Sequence, residues 1–289
     1  MGRPGPSSES TPTDAAAARA TATDQRPWGL VFVMLTFLLS WVPWLAVLIG
    51  TGDARSGPGS VALWVLGGYG PTIAAIVVIA MRDGRYGVRR FLRRLLHWRL
   101  GWWYAVLLLP LPIVLVAVVT AVVAGPAAWQ LAGPLHWALL PVALVSGVLA
   151  GGMEELGWRG ELLPQLQVRM SAVGASLIIG LLWSLWHAPL FLLDSTSQSV
   201  FSPTWYTLQT VALSVILTWM YNSSRGSVLL VVLFHGALNG WYGLMIEGLA
   251  PDALSGFIPP SAMLLTIIAA WLVVRHGPAH LSEHPRQRR

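Results

Sequence analysis

Gly147–Val148–Leu149–Ala150–Gly151–Gly152–Met153–Glu154–Glu155–Leu156–Gly157–Trp158–Arg159–Gly160 sets two adjacent carboxylates and an arginine inside a segment that otherwise reads as membrane-spanning. A charged side chain at the centre of a bilayer costs about 2.5–3.5 kcal/mol on insertion scales, so such groups face a protein interior and mark a site of work. Glu155 and Arg159 are four residues apart and stack on one helical face, where they can pair. Glu154 points about 100° away round the helix and has no such local partner. It is the carboxylate left over.

The surrounding composition fixes the class. The 289 residues are 55% hydrophobic and only 10% charged, with a mean hydropathy of +0.63. A soluble domain carries about 25% charged residues, so the chain is expected to be an all-α polytopic membrane protein. There is no cysteine, which excludes disulfides and thiolate metal sites. The net charge of +6 is carried by arginine alone, and its distribution follows membrane topology, so no nucleic-acid partner is expected.

Residues 1–27 have no apolar periodicity and are expected to form a disordered tail. The apolar run Trp28–Ile49 exceeds the roughly 7–15 residues of a signal-peptide core and is expected to be a retained first span. Further runs follow at 61–81, 102–124, 137–168, 172–193, 204–222, 227–246 and 258–275, predicting about eight transmembrane helices, with Pro164 bending the fourth near its end. The spanning domain would then cover 28–275, with its motif core at 137–246 and a basic cytoplasmic tail at 276–289. With the N-terminus inside, 17 of the 18 arginines fall on the cytoplasmic side and only Arg55 opposite, which supports an N-in, C-in arrangement. Several of the sixteen tryptophans (Trp28, Trp102, Trp103, Trp129, Trp137, Trp205, Trp271) lie near span ends, as interfacial belts do. In the loop 82–101, seven arginines alternate with Phe91, Leu92, Leu95, Leu96 and Trp98. This predicts an amphipathic helix on anionic lipid; a plain positive-inside anchor is the simpler alternative.

Few ionisable groups remain at membrane depth: Glu154 and Glu155, Glu161 nearer an interface, His187 in the fifth span and His235 in the seventh. Asn239 follows His235 by four and shares its face. Counting from the cytoplasmic ends puts Glu154, His187 and His235 at depths of about 13–23 Å in a hydrocarbon core of about 30 Å. Singly, each has a bland reading: a hydrogen-bonded core histidine, a helix-locking ion pair, an interhelical asparagine. Together, an unpaired glutamate, two histidines and an asparagine are the groups needed to activate water and stabilise an oxyanion.

These residues resemble the CAAX prenyl endopeptidase and bacteriocin-processing family (CPBP, or Abi) of intramembrane proteases. Its Glu-Glu-x-x-x-Arg motif matches Glu154 to Arg159, with Gly160 following. Its aromatic residue with histidine four later matches Trp183 and His187, although phenylalanine is commoner at the first position. Its His-x-x-x-Asn motif matches His235 and Asn239, and Gly70–Ala75 also has the family's look. The resemblance implies an endopeptidase cutting near the C-terminus of a membrane-associated protein or peptide, a CAAX-type or bacteriocin-type substrate, in what would be a bacterial plasma membrane. Glu154 would be the general base, His187 would hold the water, His235 and Asn239 would line the oxyanion hole, and Glu155 and Arg159 would support them. No cofactor is fixed by the motifs. Glu154, His187 and His235 are three acceptable zinc ligands, so a metalloprotease is the alternative to a glutamate–histidine mechanism, although no His-Glu-x-x-His motif is present. Two readings compete with proteolysis: a proton-coupled transporter, for which inverted repeats are not evident, and a non-catalytic scaffold or immunity protein.

Overall fold

Where water is absent every backbone N–H and C=O must be satisfied within the chain, and long apolar runs answer this by forming helices. The computed structural model describes residues 27–96, 110–124, 138–246 and 251–282. The expected tail up to residue 26, the far end of the basic loop (97–101), Trp102, Trp103, Trp129, Trp137 and residues 283–289 lie outside the described residues. The elements are α1 (Trp28–Gly50), α2 (Pro58–Gly68), α3 (Gly70–Arg93), α4 (Pro110–Ala124), α5 (Leu140–Leu149), α6 (Leu163–Gln167), α7 (Ala172–Trp186), α8 (Pro203–Ser223), α9 (Val228–Ile246) and α10 (Pro251–His276). Among the described residues there is no β-sheet, only one isolated bridge between Asp53 and Asp194.

The all-α, membrane-embedded class holds; the count of eight crossings is not confirmed among the described residues. Four described helical segments are long and apolar enough to cross a bilayer: Trp28–Gly50, Leu140–Gln167, Ala172–Leu192 and Ser255–His276. A fifth is added if α2 and α3, bent by 51° at Tyr69, count as one. The expected loop ends nonetheless sort as the arginine distribution requires. At one end Arg94 donates to the Gly160 carbonyl, Gln167 to Asn222, Asn222 to the His280 carbonyl and the Ala172 N–H to Ala279. At the other end the Ala54 N–H donates to Asp194 and the Asp194 N–H to Gly52. There the Asp53 carboxyl is held below its usual range by hydrogen bonds from the Ser195 side chain and the Arg55 N–H.

The fourth span is not one helix. It is α5, a break at Ala150–Gly151, a 3-10 turn (Gly152–Glu154), a π-helical stretch (Leu156–Leu162) and α6. Pro164 lies at the start of α6, directly after the π-helical stretch. Arg159 is also no cytoplasmic-loop arginine: it is fully buried and leaves the topology count. Among the described residues tryptophan serves the interior more than the interface. Trp28, Trp44, Trp158 and Trp186 are core residues, whereas Trp271 is exposed as expected.

Close approach of α5 and α9 positions the break. A Cβ on Gly236 would run into the backbone and side chain of Val148, and one on Gly147 would strike the Gly236 carbonyl. Small residues at such a seam let two backbones touch and gain dispersion contact that lipid cannot supply. Gly236→Val should therefore wedge α9 from α5 and cost about 1–3 kcal/mol. A fall in the unfolding temperature of the purified protein measures it; wild-type stability would show that the contact tolerates a side chain.

Candidate functional site

The broken span brings Glu154 and Glu155 into the interior on different sides. Glu155 is fully buried and doubly engaged. Arg159 Nη1 lies 2.9 Å from its Oε2 and 3.0 Å from its Oε1, and His235 Nδ1 lies 2.9 Å from Oε1. A carboxylate paired with a guanidinium only accepts, so His235 donates from Nδ1. In the neutral ring Nε2 is then the acceptor, and the Asn239 Nδ2 donates to it at 3.3 Å. The Glu155–Arg159 pair expected from the four-residue spacing is present, although it spans the start of a π-helical stretch and not a regular α-helix.

Glu154 takes no part in that pair. Its Oε2 accepts a hydrogen bond of 2.6 Å from the Trp183 indole Nε1. Trp183 is the point where the three motifs meet. Its own carbonyl accepts from His187 Nδ1 at 2.8 Å, its ring stands edge-on to His235 at 5.1 Å, and the Arg159 guanidinium lies over its face at 5.0 Å from the centroid. The indole thus offers its polar edge to an anion and its electron-rich face to a cation. Among the described residues Nε and Nη2 of Arg159 have no hydrogen-bond partner, so the ring face supplies compensation that oxygens do not. A lone tryptophan in an apolar run looks like packing. Its position four residues before His187 was the only sequence signal, and it placed the two on one face without revealing the partner on another helix.

His187 is not in mid-helix as expected. It caps the C-terminus of α7, and the chain continues as a 3-10 turn over Ala188–Leu192. With Nδ1–H spent on the Trp183 carbonyl, the neutral ring keeps a lone pair at Nε2. Trp186 and Tyr206 flank it edge-on, at 4.5 and 5.3 Å between ring centroids. Tyr206, from α8, was not anticipated. Nor was Thr72, whose hydroxyl donates to the Met153 carbonyl at 2.6 Å and fixes the peptide immediately before Glu154. On the open side of the break Gly151 faces Asn239 and His235, and a Cβ there would collide with the Asn239 amide.

Glu154, His187 and His235 therefore all touch Trp183, and Asn239 joins through His235. Among the described residues no three His, Asp or Glu side chains are placed to hold one ion. Each of the three has a protein partner: Glu154 Oε2 accepts from the indole, His187 donates Nδ1–H to a carbonyl, and His235 donates Nδ1–H to Glu155.

Comparison with known proteins agrees with the motif reading. Residues 134–241 match the family model described as type II CAAX prenyl endopeptidase Rce1-like. The chain is also 28% identical over 223 residues to CAAX prenyl protease 2 of Methanococcus maripaludis, covering 72% of this chain and 82% of that one. The matched segment contains the broken span, the end of α7 and the polar face of α9.

The buried ion pair gives a direct stability test. Arg159→Met leaves Glu155 with His235 as its one remaining partner and should cost about 3–5 kcal/mol, because a charge deprived of its partner stays buried. Adding Glu155→Gln removes the stranded charge and should recover part of that loss. Unfolding temperatures of the two variants check this, and a single variant as stable as wild type would show that the pair contributes nothing.

Proposed function

We propose that the chain is a membrane endopeptidase of the CAAX prenyl protease type, a reading its similarity to the Rce1-like family model and to CAAX prenyl protease 2 supports, and that it cuts a peptide bond near the C-terminus of a membrane-associated substrate with a water activated by Glu154. The observation that carries this reading is the division of labour between adjacent carboxylates. Glu155 is committed to Arg159 and His235, whereas Glu154 has one oxygen on an indole N–H and no ion pair. In a site otherwise walled by apolar and aromatic side chains, Glu154 is the group able to take a proton from water.

His187 orients that water by accepting its second hydrogen at Nε2. The water oxygen then attacks the scissile carbonyl carbon as its proton passes to Glu154, and the carbonyl oxygen takes the negative charge. The Asn239 amide donates to that oxygen. Donation from His235 Nε2 requires the imidazolium form, and the Glu155 carboxylate on Nδ1 is its counter-charge. Glu154 returns the proton to the amide nitrogen, the C–N bond breaks, and a new carboxyl and amine leave. Among family substrates we infer a CAAX-type tail, prenylated as the relative's name describes; a bacteriocin-type membrane peptide is the second substrate class. The unfavourable arrangement of zinc donors favours metal-free chemistry.

Purified protein in liposomes, given a farnesylated CAAX peptide and its unprenylated counterpart, tests the reading. Glu154→Gln should fold normally and lower kcat by about 10²–10⁴; retained cleavage would refute the base assignment. Trp183→Phe, which keeps an aromatic ring but deletes the hydrogen bond to Glu154, should lower kcat about tenfold with KM unchanged, in line with the roughly 1.5 kcal/mol of a bond to a charged group. Chelators should leave the rate unaltered, and loss of activity restored by added zinc would overturn the metal-free mechanism.

A further inference from the structure

We propose that the outer face of α3 beyond Gly84 is a binding site for anionic phospholipid. At Gly84 the backbone enters the left-handed region (φ 65°), and the chain leaves the line of the spanning helix to continue as a separate helical arm through Leu96. The arm has two faces. Its inner face is anchored to the protein: Phe91 is buried, an added Cβ on Gly160 would press on the Phe91 ring, and Arg94 donates to the Gly160 carbonyl and the Tyr221 hydroxyl.

The outer face carries a groove of about 680 Å³, lined by Ala80, Val88, Leu92, Leu95, Leu96 and the arginines Arg85, Arg89 and Arg93. The three arginines recur every four residues, so their guanidinium groups run along one strip of the helix. Leu92 and Leu96 are exposed beside them, at 39% and 81% of their surface. Asp83 lies against Arg82 and Arg90, and Glu161 against Arg82.

A cationic strip bordering an apolar trough matches one ligand chemistry, a phosphate joined to acyl chains. Guanidinium forks bind phosphate oxygens in pairs, and exposed leucines level with them cover hydrocarbon in the interfacial zone. The arm also stands at the end of the molecule where the arginine-rich segments gather, the side on which anionic lipid attracts basic residues. A soluble anion would account for the arginines but not for the exposed leucines.

The test uses the full-length chain, delipidated in detergent and titrated with phosphatidylglycerol or phosphatidylcholine, bound lipid being counted by native mass spectrometry. Wild type should prefer phosphatidylglycerol, and inorganic phosphate in excess should displace little of it. The triple variant Arg85→Gln/Arg89→Gln/Arg93→Gln should lose roughly tenfold or more of that preference. A charge-matched variant, Arg90→Gln/Arg169→Gln/Arg275→Gln, removes three exposed arginines outside the groove and should keep it. Equal loss in both variants would reduce the effect to net charge and overturn the site, as would equal binding of the two lipids or full displacement by phosphate. Should the triple variant fail to fold, Arg89→Gln alone is expected to weaken phosphatidylglycerol binding several-fold, and wild-type binding by it would overturn the site. Binding is read without peptide cleavage, so the outcome is independent of the proposed protease mechanism.

Discussion

The Glu155–Arg159–His235 cluster is the constraint on which the interior depends. Three polar side chains, each almost wholly buried, are stable there only while they satisfy one another. Their pairing fixes the π-helical stretch to α9 and sets the tautomer of His235. The result is a framework in which one further carboxylate, a residue earlier in the chain, is held clear of the arginine. Had the span remained a regular α-helix, Glu154 would still point away from Glu155. The break at Ala150–Gly151 and the 3-10 turn add the freedom to direct it at α7.

Trp183 turns this framework into a site. Its indole lies between the cation of Arg159 and the anion of Glu154, accepting the first on its face and donating to the second from its edge. Arg159 therefore acts on both glutamates, on one by direct contact and on the other through the ring. The carbonyl of the same residue orients His187. A phenylalanine, the commoner residue at this point of the motif, would fill similar space and leave Glu154 without that donor. In this chain the carboxylate is held by a bond that the motif pattern alone does not specify.

How much of this was legible in the sequence follows from the range of each interaction. Glu155 with Arg159, and His235 with Asn239, are four residues apart, and helical periodicity revealed both before any coordinates. The Trp183–Glu154 and His235–Glu155 bonds join residues 29 and 80 apart, and no periodicity reports on partners in other helices. Thr72 and Tyr206 were silent for the same reason. The break in the fourth span was visible as Gly151–Gly152, yet two glycines in an apolar run also suit plain helix packing; only the approach of α9 decides between them. Trp28 was misplaced because closeness to a span end does not tell whether a ring faces lipid or a neighbouring helix.

One helix links the two ends of the functional description. Through Thr72, α3 fixes the peptide before Glu154; through Arg82 it holds Glu161; and through Phe91, with Arg94 just past its end, it closes on Gly160. The contacts fall at the two ends of the segment, on Met153 and on Gly160–Glu161, so it is clamped from both sides of its irregular stretch. The clamp matters because the segment is irregular. Its π-helical and 3-10 turns bond with poorer geometry than a regular α-helix, and a neighbouring helix adds rigidity that regular hydrogen bonding would otherwise provide. The arm beyond Gly84 continues this element past its break, at the end of the molecule where Arg94, Gly160, Asn222 and His280 meet. What holds the arm in place therefore bears on the geometry of Glu154, and a site of lipid contact on its outer face lies one helix diameter from the residues that grip the carboxylate segment.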